Sequence, residues 1–209
     1  LLMVDYGVFY EFIPMSEFGL ENPRTLILDE VETGVNYAIV ITTNAGLWRY
    51  VIGDTIKFVS TSPYRFHITG RTKLYINTFG EELMIENAEA AITLACAETG
   101  SVIKDFTAAP VYLKENQPGG HEWLIEFNTC PDSLDHFAER LDVHLKNLNS
   151  DYEAKRYNNM TLKRPIVHIA KENLFYHWLE AKGKLGGQNK VPRLSNDREY
   201  IDPLLEMNK

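Results

Sequence analysis

The chain has 209 residues, 44% of them hydrophobic and 24% charged, a makeup that fits one large or two small globular domains and excludes a disordered or fibrous polypeptide. Its longest apolar runs, such as Tyr37 to Ile41, fall well short of the roughly 20 residues a membrane-spanning helix needs. A formal net charge of −8 without a local basic patch argues against nucleic acid and leaves small molecules and proteins as partners.

From Val8 to Ile68 the chain reads as short β-rich runs: Val8 to Ile13, Thr25 to Val31, Tyr37 to Thr43, Leu47 to Ile52, Thr55 to Val59 and Arg65 to Ile68. Pro14, Asn22-Pro23, Thr33-Gly34, Asn44-Ala45-Gly46, Gly53-Asp54 and Ser62-Pro63 punctuate them, a spacing that predicts a small antiparallel sheet curling into a barrel. After Gly70 the pattern changes. Leu74 to Asn77 and Leu83 to Ile85 form a hairpin around Phe79-Gly80, and Asn87 caps a helix over Ala88 to Thr99 that stops at Gly100. Val102 to Leu113 and Glu122 to Thr129 are strands joined through Asn116 to Gly120. Ser133 then opens a helix marked by Leu134, Phe137, Leu141, Leu145 and Leu148 at helical spacing, a stripe that belongs in a core. A short helix over Asp151 to Tyr157, a strand from Pro165 to Ala170 and a helix from Leu174 to Lys182 complete the order.

The fold class is therefore α+β: residues 1–70 as an antiparallel β-barrel-like subdomain, then residues 71–209 as a two-layer α+β domain with helices over one face of its sheet. The boundary falls at Gly70-Arg71-Thr72-Lys73.

Cys96 and Cys130 form no CxxC and have no His pair at zinc spacing, so no disulfide framework or zinc site is expected. Cys96, within the apolar stretch Ala91 to Ala97, reads as a buried core thiol. There is no signal-like leader, which makes the cytoplasm the default location. The opening Leu1-Leu2-Met3, with a strand close behind, reads as the interior of a longer polypeptide.

Three features have chemical potential. In Trp48-Arg49-Tyr50-Val51-Ile52-Gly53-Asp54 a strand ends in Gly-Asp, and a carboxylate projecting from that turn has two oxygens for the two hydroxyls of a ribose. Seventeen residues on, Gly70-Arg71 sets a guanidinium at the domain boundary, where ligand clefts form. Near the C-terminus, Gly186-Gly187-Gln188-Asn189-Lys190-Val191-Pro192-Arg193 carries a lysine on a glycine-rich loop, able to swing a cation toward developing phosphate charge. Taken singly these read as a turn residue, a linker arginine and a solvated lysine. His67, alternating with Phe66 and Ile68, reads as outward-facing or hydrogen-bonded rather than as a metal ligand.

In order and spacing, these features resemble the latter part of the adenylate-forming superfamily. More narrowly, the chain resembles the auxin-responsive (Gretchen Hagen) family of acyl-acid amido synthetases, in a bacterial-type form. The resemblance rests on Tyr10-Glu11-Phe12-Ile13-Pro14, on Thr42 to Tyr50 running into Gly53-Asp54, and on Gly70-Arg71. It continues through Glu86-Asn87, Asp151-Tyr152 with Arg156, and Gln188 to Arg193.

That resemblance implies a two-step reaction. ATP and a carboxylic acid give an acyl-adenylate and pyrophosphate; an amine, typically of an amino acid, then takes the acyl group and AMP leaves. Carried over by position, Asp54 would bind the ribose hydroxyls, Arg71 ribose or phosphate oxygens, and Tyr50 would line the nucleotide site. Lys190 would be the catalytic lysine of the first step, and Lys73 would be the hinge of a mobile C-terminal domain, with the Phe79-Gly80 turn facing the site after rotation. The phosphate loop, the Mg2+ ligand and most of the acyl pocket belong to a region upstream of Leu1, so the chain alone is expected to be inactive. An acyl-CoA ligase of the same superfamily and a non-catalytic metabolite-binding module are the competing readings.

Overall fold

Alternating side chains build the first of the two units into which the chain divides, Leu1–Lys73, around a four-stranded antiparallel sheet. Its strands are β1 (Val8–Pro14), β2 (Asn36–Thr43), β3 (Tyr50–Thr61) and β4 (Tyr64–Arg71), in that spatial order. The structure, a computed structural model, describes residues 2–112, 118–159, 161–186 and 189–209. Phe12, Tyr37, Ile56 and Phe58 are buried on one face, with the Phe12 and Phe58 rings edge to face at 5.3 Å, a favoured aromatic geometry.

This sheet does not close into a barrel. Closure requires β4 to pair with β1, but the open side of β1 is taken by Leu26, whose backbone exchanges two hydrogen bonds with Phe12 at 2.8 and 2.9 Å. That bridge is all the strand character of the segment read as Thr25 to Val31. Its middle, Leu28–Glu30, is a 3-10 turn, because the Glu30 carboxylate folds back to accept the Ile27 N–H at 2.9 Å. The two runs expected on either side of Gly53-Asp54 are one strand, β3.

The second unit, Leu74–Lys209, begins with a hairpin of β5 (Tyr75–Ile76) and β6 (Leu83–Met84). Then come α1 (Ile85–Thr99), β7 (Val102–Val111), β8 (Gly120–Thr129), α2 (Leu134–Leu148), α3 (Ser150–Arg156), β9 (Ile166–Ile169), α4 (Leu174–Ala181) and α5 (Ile201–Met207). Helix α1 starts earlier than expected: Asn87 lies inside it, its Oδ1 reaching back to the Met84 N–H at 3.3 Å. Helix α2 is capped by Ser133, whose hydroxyl accepts the His136 N–H, and Phe137, Leu141 and Leu145 are fully buried. Leu148, last of the stripe, is exposed. Cys96 is only partly buried, and both cysteines are free thiols.

The sheet order is β7-β8-β9, antiparallel and then parallel. Its two faces bury different residues. Phe106, Trp123 and Ile125 pack with α1, α2 and Tyr152, while Ala109 and Leu124 pack with Leu174, Phe175 and Trp178 of α4 and Ile201 and Leu204 of α5. The α+β class holds, but the expected two layers become three, because strands buried on both faces need cover on both. Helix α5 has no counterpart among the expected elements.

Of the connection expected between β7 and β8, Asn116 and Gln117 lie outside the described residues. Gly119 beyond them is closely packed: a Cβ there would sit 2.7 Å from Cε1 of Phe79 and 2.9 Å from the Val111 carbonyl oxygen. Because one of these neighbours is backbone, Gly119→Ala is expected to cost about 1–3 kcal/mol through overpacking, readable as an earlier denaturant midpoint with an unchanged slope.

Candidate functional site

Asp54 and Arg71 are cross-strand partners. Asp54 on β3 lies opposite Arg71 on β4, and the Arg71 Nε sits 3.1 Å from Asp54 Oδ1. The carboxylate does not project from a turn, as the sequence suggested, but from within a strand. Opposite β2 the register jumps: Ala38 faces Thr55, yet Val40 faces Val51. The extra β3 residues bulge out, and Gly53 at their centre takes φ +92, a conformation open mainly to glycine. The Gly53 carbonyl accepts the Thr72 N–H at 2.9 Å, which fixes the bulge to the chain just past Arg71. The pair is accessible, with 28% of the Asp54 side chain and 66% of the Arg71 side chain exposed. So open an ion pair adds little to stability and leaves donors and acceptors for a ligand.

Tyr50 opens β3 opposite Ile41 and is half exposed. Just before it, Arg49 adopts φ +44 and ties two residues that carried the resemblance, Glu11 and Thr42, to Thr25. Its Nε donates to Glu11 Oε2 at 3.1 Å, its Nη2 to Thr25 Oγ1 at 3.0 Å, and its backbone N–H to Thr42 Oγ1 at 3.0 Å. Sequence pattern alone does not show that these residues share one node, which shapes the β2–β3 turn ahead of Tyr50. Lys73 is the last residue of the first unit.

In the second unit Lys190 is exposed and has no hydrogen bond or ion pair among the described residues. The residues after it are anchored. Val191 and Leu194 are buried, the Thr107 hydroxyl donates to the Pro192 carbonyl at 2.7 Å, and Ala108 exchanges backbone hydrogen bonds with Arg193 and Ser195 at 2.8 and 3.1 Å. The lysine thus stands one residue ahead of a segment strapped along β7.

The Phe79-Gly80 turn, between β5 and β6, has a buried polar support that the sequence did not reveal. Glu81 and His121, 0% and 1% exposed, meet at 2.8 Å through Oε1 and Nε2, and Glu81 Oε2 accepts the Phe79 N–H at 2.7 Å. Burial pushes the Glu81 carboxyl up, but His121 and the backbone N–H groups outweigh it and hold the group below its ordinary value. Arg156, noted only within the resemblance, clamps Asp142 through Nε and Nη2 at 2.6 and 2.8 Å and donates from Nη1 to the Leu162 carbonyl. Among the described residues no three His, Cys, Asp or Glu side chains converge as a metal site. No helix among them is long and apolar enough to cross a membrane.

Comparison with known proteins fits this two-unit arrangement to a family. The GH3 family central domain matches residues 1–71, and the GH3 family C-terminal domain matches residues 86–199. The chain belongs to the GH3 family. It is 26% identical over 213 residues to indole-3-acetic acid-amido synthetase GH3.3 of Arabidopsis thaliana, covering 95% of this chain and 34% of that protein. It is 28% identical over 214 residues to jasmonoyl–L-amino acid synthetase GH3.5 of Oryza sativa subsp. japonica (90% and 35%). To the 4-substituted benzoates-glutamate ligase GH3.12 of Arabidopsis thaliana it is 23% identical over 205 residues (88% and 35%). The GH3 chain thus spans about a third of the length of these relatives; they are plant proteins and lend the bacterial-type reading no support. The solved acyl acid amido synthetase AtGH3.15, in complex with 2,4-DB, shares the fold, with a TM-score of 0.64 at 20% identity over 96% of this chain and 36% of that one.

Proposed function

We propose that this chain is the central and C-terminal part of an ATP-dependent acyl-acid amido synthetase. In the first step a carboxylate oxygen of the acid attacks the α-phosphorus of ATP, and pyrophosphate leaves. In the second the amine nitrogen of an amino acid attacks the acyl carbon, loses a proton and expels AMP. The activities named for the relatives, on indole-3-acetic acid, jasmonate or a benzoate with an amino acid, support a small organic acid as the acyl donor.

The observation that carries this reading is the Asp54–Arg71 pair, an accessible carboxylate and guanidinium fixed 3.1 Å apart in the family's central domain. The carboxylate accepts both ribose hydroxyls, the guanidinium turns to ribose or phosphate oxygens, and Tyr50 lines the nucleotide. Lys190 brings its ammonium to the charge that grows on the α-phosphate as the acid attacks. A cation kept there would obstruct the amine, so rotation of the C-terminal unit about Lys73 withdraws Lys190 and presents the Phe79-Gly80 turn instead.

The test is ATP–pyrophosphate exchange by the full-length protein against a panel of carboxylic acids, with product mass spectrometry after adding CoA or mixed amino acids. Acid-dependent exchange and an amino-acid amide support the reading; a thioester product or no exchange overturns it. In the same protein Asp54→Ala removes hydrogen bonds to a charged acceptor worth about 1.5–3 kcal/mol each. The KM for ATP is expected to rise at least about tenfold, with the KM for the amino acid unchanged.

A further inference from the structure

The Phe79-Gly80 turn runs into a residue held in a backbone conformation that its side chain disfavours. Gly80 has φ +82 and Glu82 has φ +39, the latter in a region that a residue with a side chain seldom enters. Strain of this kind persists only where the surroundings over-determine it, and here they do. Asn77 Oδ1 accepts the Glu82 N–H at 3.0 Å, and Asn196 Oδ1 accepts the Asn77 N–H at 2.7 Å. Asn149 Nδ2 donates to the carbonyls of Glu81 and Glu82, both at 3.0 Å. Within the turn, Glu81 bends back to the Phe79 N–H while its other oxygen is tied to His121 on β8.

A carboxylate and an imidazole this deeply buried are a costly way to stabilise a core. Removing them from water is expensive, and apolar side chains of similar volume often do as well or better. Even within the pair the hydrogen bonding is incomplete, since His121 Nδ1 is buried without a hydrogen-bond partner among the described residues. What the arrangement supplies that a pair of leucines would not is direction: it fixes where the Phe79 amide and the turn's backbone point.

We propose that Glu81 and His121 are positioning residues for amine transfer, locking the Phe79-Gly80 turn in the one backbone conformation that serves the second half-reaction, with no part in adenylation. This rests on the reading that the turn faces the acyl-adenylate after the C-terminal unit rotates. The pair touches no substrate; it acts through the turn.

The experiment separates the half-reactions in the full-length enzyme. In Glu81→Gln the amide oxygen can still accept the Phe79 N–H, but the NH2 group then faces His121 Nε2, which can accept from it only if the imidazole proton moves to Nδ1, buried and without a hydrogen-bond partner among the described residues. Acid-dependent ATP–pyrophosphate exchange is expected to stay at the wild-type level, which also reports that the variant is folded. Single-turnover transfer from preformed acyl-adenylate to the amino acid is expected to fall by an order of magnitude or more. In Glu81→Gln with His121→Gln, two amides can satisfy each other and still accept the Phe79 N–H, so transfer is expected to recover. Equal losses in both half-reactions, or unchanged transfer in Glu81→Gln, overturn the proposal while leaving the functional reading in place. A wild-type enzyme silent in both assays overturns the reading and this inference together. Hydrogen exchange needs no variant: the Phe79 amide of the wild type is expected to be strongly protected, and rapid exchange there overturns the proposal.

Discussion

Lys190→Ala in the full-length enzyme is expected to lower acid-dependent ATP–pyrophosphate exchange by roughly 10²–10³-fold, the usual consequence of removing one group that stabilises developing charge. Transfer of a preformed acyl-adenylate to the amine is expected to be unaffected. The asymmetry follows from the proposed reaction: negative charge would build on the α-phosphate only while the carboxylate attacks, so the ammonium is expected to act in the first transition state and not in the second. Because Lys190 is exposed and bonded to none of the described residues, the substitution should leave the melting temperature unchanged, and lost activity will not reflect lost fold. Its neighbours behave differently. Val191 and Leu194 are buried and the backbone from Pro192 to Ser195 is strapped to β7, so alanine at either apolar position is expected to lower stability as well as exchange. Unchanged exchange in Lys190→Ala, with amide formation reduced, would overturn its assignment.

The features legible in the sequence were those written in local periodicity. Phe137, Leu141 and Leu145 recur at the spacing of a helix face, and all three are fully buried. Helix α5 escaped because it is seven residues long, has Pro203 in its first turn, and buries only Ile201 and Leu204. At Gly53-Asp54 the turn chemistry was real but the outcome was a bulge, since β2 and β4 keep β3 paired on either side of it. The Asp54–Arg71 contact was recoverable by counting. Thr61 faces Tyr64 across the hairpin, and seven residues back along each strand stand Asp54 and Arg71. The extra residue Val59 on β3 is cancelled by Thr69 on β4, so the simple register returns. No such count leads to Glu81 and His121, which are 40 residues apart and brought together by packing.

The largest stability effect is expected at Asp142, on α2. Its carboxylate accepts from Arg156 through both oxygens, from the Tyr152 hydroxyl at 2.9 Å, and pairs with Lys146 at 3.1 Å. The Asp142 and Arg156 side chains are 6% and 7% exposed, so Asp142→Ala takes from a buried guanidinium the carboxylate that it clamps and should cost about 3–5 kcal/mol, lowering the transition of the C-terminal unit by roughly 10 °C. The pH dependence has a definite sign. Burial raises the Asp142 carboxyl, but Arg156, Lys146 and Tyr152 outweigh it and hold the group below its ordinary value. A carboxyl depressed in the folded state contributes its full stability above the unfolded pKa, about 3.9, and loses it as pH falls through the folded value. The melting-temperature gap between wild type and Asp142→Asn is therefore expected to be constant from neutral pH down to about 5 and to narrow below about 4. A gap insensitive to acid would show that shape rather than charge holds the clamp. The effect should also reach the second half-reaction. The Tyr152 ring, oriented by Asp142, lies 5.6 Å from the ring of His121, so loosening α2 from α3 disturbs the histidine that holds Glu81. Conditions under which Asp142→Ala remains folded are expected to show slower amine transfer with pyrophosphate exchange retained.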